Sequence, residues 1–157
     1  MRPPLDLQIT LISSCEQSLT PVPQIVLDTN AVLDWLLFDD PGMRGLVAAI
    51  EQGRLRWIAT EAMRGEFEHV LVRGLAAARS ADPARFDLVW RQHCTEHPTA
   101  PPADARLRCT DPDDQKFLDL ALASNARWLI SRDRAVLKLR RRAAAHGLAI
   151  TTPIQWR

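Results

Sequence analysis

The chain has 157 residues, enough for one domain, and its 46% hydrophobic content is ordinary for a globular protein. Twenty basic residues against nineteen acidic ones leave a formal net charge of +1, so bulk charge gives no argument for a nucleic-acid partner. No apolar stretch approaches the ~20 residues of a membrane helix, and the N-terminus lacks the order of a secretory signal, so we expect a cytoplasmic protein without a membrane partner.

Residues 1–23 differ from the rest of the chain. Prolines bracket this segment, and apolar residues alternate with polar ones at Leu5, Leu7, Ile9 and Leu11. Alternation of this kind is typical of a half-exposed strand. We therefore predict an N-terminal arm or an extra strand, with a disordered tail as the alternative, followed by a single domain over residues 24–157.

From residue 24 onward, predicted strands alternate with predicted helices. The strands are expected at residues 24–27, 56–59, 105–109, 128–131 and 148–152. Amphipathic spacing and capping residues predict helices beginning near Ala31, Met43, Thr60, Asp82 and Asp114, and a basic helix ending at Gly147. Alternation of this kind predicts an α/β fold with three α/β/α layers, in which about five parallel strands lie between helices.

Acidic residues stand close to the ends of these strands. Asp28 directly follows an apolar strand, Asp133 follows another, and Asp114 opens a helix. Open α/β sheets bind their ligands at the carboxyl edge, where such residues gather. Glu66 lies in the helix after the second strand, one residue before the core-facing Phe67. These acids are therefore candidates for a common site.

Converging carboxylates need a cation. Two like charges about 4 Å apart repel by roughly 4 kcal/mol at an effective dielectric near 20. Mg²⁺ and Mn²⁺ prefer oxygen ligands and are commonly held by a few carboxylates together with substrate phosphate. Such a site can polarise a phosphodiester and stabilise its leaving oxygen, so metal-dependent phosphodiester hydrolysis is the reaction that fits best.

Three segments of the chain carry three of these acids: Ile25–Asn30, Asp111–Ala121 and Trp128–Asp133. In this order they resemble the motifs of PIN-domain ribonucleases. The resemblance spans roughly residues 24–154 and is greatest to the branch described as toxin components of toxin–antitoxin systems, relatives of the VapC-type toxins. It implies a PIN domain, a Mg²⁺ or Mn²⁺ centre, single-stranded RNA as substrate, a homodimer or higher oligomer, and inhibition by a cognate antitoxin protein.

The resemblance also implies roles for individual residues. Four acids match the metal-binding and catalytic acids of the family: Asp28, Glu66, Asp114 and Asp133. Asn30 resembles the polar residue that orients the first acid, and Ser131 resembles the small hydroxyl residue near the end of the fourth strand.

Several of these assignments have structural alternatives. Asp28 and Asp133 are also suited to cap the helices that follow them, and Asp111 or Asp113 competes with Asp114 for the third position. On the helix of Glu66, Glu61 and Glu68 are rival acids. The pattern around Glu66 and its distance from Thr60 favour it over both.

Residues 132–142 form a basic stretch with six basic residues against Asp133 alone. Positive charge this close to a candidate catalytic acid would attract a phosphate backbone. We therefore expect RNA to contact Arg132, Arg134, Lys138 and Arg140. A solvated helix face is the alternative explanation.

Together, the acids and the resemblance predict a Mg²⁺- or Mn²⁺-dependent endoribonuclease of the PIN type, and the resemblance implies that it acts as the toxin of a toxin–antitoxin pair. The alternative is a catalytically silent PIN-fold module that binds RNA or protein. A phosphatase would need a second Asp where Asn30 stands, and the six glycines include no GxGxxG pattern for a dinucleotide. Three cysteines without CxxC spacing argue against a zinc site.

Overall fold

The computed structural model of the protein describes residues 20–73 and 82–157. The arm or extra strand predicted for residues 1–23 therefore lies almost wholly outside the described residues. Residues 20–23, the described part of that segment, carry no strand.

Five strands form one sheet in which every neighbouring pair is parallel. In chain order they are β1 (Gln24–Leu27), β2 (Arg56–Thr60), β3 (Cys94–His97), β4 (Trp128–Ile130) and β5 (Ala149–Thr151). Their order across the sheet is β3-β2-β1-β4-β5, so β1 lies at the centre. The predicted five-stranded parallel sheet is confirmed.

Helices connect the strands and cover the sheet. They are α1 (Thr29–Leu36), α2 (Arg44–Glu51), α3 (Glu61–Arg73), α4 (Pro83–His93), α5 (Gln115–Ala123), α6 (Arg134–Leu137) and α7 (Arg140–Ala144). Short 3-10 turns lie at Pro41–Met43, Ala105–Leu107, Pro112–Asp114 and Pro153–Gln155. Helix α1 packs on α3, and α5 packs against β1 and β4. The predicted three-layer α/β/α class is confirmed.

The burial of β1 shows that both faces of the sheet are covered. Ile25, Val26 and Leu27 are each fully buried, and successive side chains of a strand point to opposite faces. A continuous apolar run is typical of a parallel strand between two helical layers. This run ends at the carboxyl edge of the sheet, where Asp28 follows.

One predicted strand is wrong. Residues 105–109 contain a 3-10 turn, and the Asp104 side chain fixes that turn by accepting a hydrogen bond from the Arg106 N–H at 2.9 Å. The third strand is instead Cys94–His97, which pairs with β2 from Trp57 to Thr60. Because β3 is an edge strand with two exposed residues, it lacks the apolar run by which buried strands are identified.

The predicted basic helix is also divided, because α6 ends at Leu137 and α7 begins at Arg140. In the described ranges, no helix is both long enough and apolar enough to cross a membrane.

We predict that Phe67→Ala lowers the free energy of unfolding by about 3–5 kcal/mol, because it leaves a cavity in the core. Phe67 is fully buried, and its ring centroid lies 6.1 Å from that of Trp90 and 6.5 Å from that of Phe117. Chemical denaturation measures the change. Leu88→Ala is the control, since Leu88 is 55% exposed on α4. Equal losses in the two variants would contradict this packing.

Candidate active site

The pairing of β1 with β4 places Asp28 beside Ser131. Leu27 is level with Ile130 in the parallel register, and the Asp28 N–H donates to the Ile130 carbonyl at 3.0 Å. Asp28 and Ser131 are therefore the first residues beyond the paired ends of two neighbouring strands. Both are buried, with 3% and 0% exposure.

Two donors hold the Asp28 carboxylate. The Ala31 N–H donates to Oδ1 at 2.8 Å, so Asp28 caps α1, and the Ser131 hydroxyl donates to the same carboxylate. Burial raises the pKa of Asp28 to about 6, even though both hydrogen bonds favour the charged form. The charges of Asp114 and Asp34 raise it further. Asp28 is therefore both a cap and a strongly perturbed acid.

Ser131 also joins Asp28 to Asp133. Its hydroxyl oxygen accepts a hydrogen bond from the Asp133 N–H at 3.0 Å. The Asp133 carboxylate in turn accepts one from the Ala135 N–H at 2.6 Å and so caps α6. The buried hydroxyl of Ser131, a residue predicted to support the site, therefore lies between two of the candidate acids.

Glu66 reaches this region from α3. Its Oε1 accepts a hydrogen bond from the Thr29 hydroxyl, and its Oε2 forms an ion pair with the Lys116 ammonium. Because Thr29 directly follows Asp28, the packing of α3 on α1 brings Glu66 to the end of β1. Both of its carboxylate oxygens have partners.

Asp114, rather than Asp111, is the acid available at the start of α5. The Asp111 side chain caps the 3-10 turn by accepting from the Asp113 N–H at 3.0 Å, whereas Asp114 makes no side-chain cap bond. Desolvation raises the pKa of Asp114 to about 6, and the charges of Asp133 and Asp111 raise it further. Glu66 adds a smaller contribution, and the Lys116 ammonium opposes them. Asp114 thus has electrostatic interactions with all three other candidate acids.

The remaining predicted residues lie around these acids. Asn30 is exposed in the first turn of α1. Arg132 is engaged by two carboxylates, with Nε 2.8 Å from Asp34 and an Nη2 atom 2.9 Å from Asp40. Its guanidinium therefore braces α1 against the loop that follows it.

The other basic residues form an open cavity. Its volume is about 490 Å³, and it is lined by Arg134, Leu137, Lys138, Arg140 and Arg141. Three of these are residues for which RNA contacts were predicted. One lining residue, Arg134, directly follows Asp133 in the chain.

Sequence reasoning missed two residues, Thr29 and Lys116, although both stand within the quoted motifs. Thr29 donates to Glu66, and Lys116 is the cation closest to that acid. A cation two residues after Asp114, in the first turn of a helix, is a signal that the sequence does contain, since helix N-termini disfavour positive charge.

A scan against protein families matches residues 24–135 to the PIN domain. The chain belongs to the PIN domain family. No curated protein matches the sequence. Nucleases with this domain generally use a divalent metal ion.

The PIN domain fold is also seen in a solved complex. A chain in the crystal structure of VapBC2 from Rickettsia felis, bound to a DNA fragment from its promoter, aligns with a TM-score of 0.57 and 10% identity. The alignment covers 81% of the present chain and 96% of that one. At this identity the likeness concerns the fold alone.

The donor chemistry of the PIN domain acids fits a hard divalent cation, because every candidate ligand is a carboxylate oxygen. Their arrangement is less favourable. Within residues 20–73 and 82–157, no three His, Cys, Asp or Glu side chains are grouped so that they could hold a metal ion. Glu66 is already paired with a cation, Lys116.

We predict that Asp28→Asn stabilises the PIN domain at pH 7.5 and not near pH 4. Asp28 has a folded-state pKa of about 6 against a reference of 3.8, so the folded state binds more protons between these values. The free energy of unfolding of the wild type therefore falls as pH rises through this window. The gain from Asn should approach roughly 3 kcal/mol above it.

Urea denaturation of both proteins from pH 4 to pH 8 measures the difference. An Asp28→Asn protein less stable than the wild type at pH 7.5 would show that the carboxylate is not destabilised by burial.

Proposed function

We propose that this PIN domain protein is a metal-dependent endoribonuclease that hydrolyses phosphodiester bonds of cytoplasmic RNA and acts as the toxin of a toxin–antitoxin pair. The observation that carries the proposal is the buried Asp28, joined through Ser131 to Asp133 and coupled to Asp114, at the carboxyl edge of a PIN sheet. A structural core has no need of several interacting carboxylates.

Asp28 and Asp114 are the principal residues that would hold Mg²⁺ or Mn²⁺, with Glu66 and Asp133 as the other acids of the site. The ion supplies charge stabilisation to phosphate oxygens and lowers the pKa of water at neutral pH. Carboxylates that repel one another attract such an ion because its charge offsets their mutual repulsion.

Groups of the protein would orient the Asp28 carboxylate and the RNA backbone. The Ala31 N–H and the Ser131 hydroxyl fix the Asp28 carboxylate, which is shielded from bulk water. Asn30, exposed in the first turn of α1 two residues after Asp28, is proposed as a supporting polar group. The basic cavity, whose lining residue Arg134 directly follows Asp133, would hold the RNA backbone through Arg134, Lys138 and Arg140. Arg132 contributes positive charge but is held by Asp34 and Asp40.

The proposed partners are a cognate antitoxin and a second copy of the chain in a homodimer or higher oligomer. The likeness of the fold to a chain in the VapBC2 complex supports an antitoxin partner. We assign residues 24–157 to the PIN domain.

We predict that Asp114→Asn reduces Mg²⁺-stimulated cleavage of single-stranded RNA by about 100-fold or more, because it removes a charge that would stabilise the cation. The matched control is Asp113→Asn, which changes the same charge on the adjacent, exposed residue. Gel-based cleavage assays, with and without EDTA, compare the three proteins. Cleavage by Asp114→Asn at the wild-type rate, or cleavage that survives EDTA, would contradict the proposal.

A catalytically silent binding module is the second candidate. It is favoured by the pairing of Glu66 with Lys116 and by the lack of a three-acid metal group in the described ranges. Such a module would bind RNA without cutting it at any metal concentration. Growth arrest on expression of the wild type, and its absence with Asp28→Asn, would exclude this candidate.

We predict that Lys138→Gln combined with Arg140→Gln weakens RNA binding and flattens its salt dependence. Each lost phosphate contact lowers the slope of log affinity against log salt by about 0.7 for single strands. Fluorescence anisotropy in the Asp28→Asn background measures this without cleavage. The control is Arg54→Gln with Arg56→Gln, an equal charge change at two exposed residues, one just before β2 and one at its start. If log affinity falls with log salt equally steeply in both double variants, the basic cavity does not contact RNA.

A further inference from the structure

The ammonium group of Lys116 contacts three different partners. Its ammonium pairs with Glu66 Oε2, donates to the Asp113 carbonyl, and lies 4.9 Å from the centre of the Phe117 ring. Its side chain and that of Glu66 are 28% and 31% exposed, so the pair is partly shielded from solvent. The ammonium is therefore held in a defined place.

The place of Lys116 in its helix argues that this contact is not incidental. Lys116 is the second residue of α5, and positive charge in the first turn of a helix is opposed by the helix dipole. The acids offset this cost, because Glu66 is in contact and the Lys116 charge also acts on Asp114.

The contact also bears on the binding of a divalent cation at Glu66. One Glu66 oxygen accepts from Thr29 and the other pairs with Lys116, so a divalent cation that approaches Glu66 meets the Lys116 ammonium. A divalent ion and an ammonium compete for the same carboxylate because both are attracted by the same negative charge.

We propose that Lys116 is the internal counter-cation of this site: its ammonium neutralises Glu66 when no divalent cation is bound, and the divalent cation binds by displacing it. The inference rests on the proposed function, because it assumes that the site takes Mg²⁺ or Mn²⁺. Lys116 is a positioning residue in this account, acting through Glu66.

The composition of the chain makes a direct test possible, because Lys116 and Lys138 are its only lysines. In protein labelled with ¹³C at lysine Cε, a two-dimensional NMR spectrum therefore contains two lysine signals. We expect Mg²⁺ to move the Lys116 signal and to leave that of Lys138 in place. Glu66→Gln should move the Lys116 signal in the same direction without Mg²⁺.

Metal affinity gives the second readout. We expect Lys116→Met to bind Mn²⁺ about tenfold more tightly than the wild type in calorimetry, since it lacks the competing charge. Lys138→Met makes the same substitution at the other lysine and should bind Mn²⁺ as the wild type does. Methionine keeps the length and apolar stem of the side chain, so packing on Phe117 is maintained.

The outcomes separate this inference from the proposed function. Mn²⁺ binding that is equal or weaker in Lys116→Met, or a Lys116 signal that Mg²⁺ does not move, would overturn the counter-cation role while leaving metal-dependent cleavage intact. Failure of the wild type and of Lys116→Met to bind Mn²⁺ would also overturn the counter-cation role. The assay of Mg²⁺-stimulated RNA cleavage then tests the proposed function separately.

Discussion

The burial of Asp28 is the constraint on which the site depends. The residue is 3% exposed at the end of the central strand, where β1 is paired on both sides. Burying a charge is costly unless hydrogen bonds satisfy it. The Ala31 N–H and the Ser131 hydroxyl do so in part, and the raised pKa of Asp28 shows that a penalty remains. The fold thus maintains a negative group that a cation can stabilise.

Charge balance around Asp28 is arranged locally. Lys116 pairs with Glu66, while Arg132 bridges Asp34 and Asp40. Desolvation is the main cause of the raised pKa of Asp34, and the Arg132 charge opposes it. Each of these cations therefore offsets an acid of the site or of its surroundings. The net charge of the chain is close to zero, although acids gather at the carboxyl edge of the sheet and basic residues line a cavity.

Much of the fold could be predicted because local chemistry dictates it. The fully buried run of β1 and the Asp82 cap before Pro83 have strong signals in the sequence. Strand β3 does not, because an edge strand needs no apolar alternation and its sequence is largely polar. Burial and edge position arise from the tertiary structure, so a single sequence does not reveal them.

The candidate site likewise has residues that the sequence predicts and contacts that it does not. Asp28 and Ser131 follow from strand ends, since parallel neighbours bring their carboxyl ends to one edge. The contact of Glu66 with Thr29 depends on how α3 packs on α1, and the pairing with Lys116 depends on α5. Pattern reasoning locates the acids, whereas their partners require the three-dimensional arrangement of separate helices.

The central claim is that these acids form one cation site, and anomalous diffraction from a crystal soaked in Mn²⁺ tests it most directly. We expect a peak bound by carboxylate oxygens of Asp28 and Asp114, with the Lys116 ammonium moved away from Glu66. A soaked crystal whose Mn²⁺ peaks all lie elsewhere, with the Lys116–Glu66 pair intact, would contradict it.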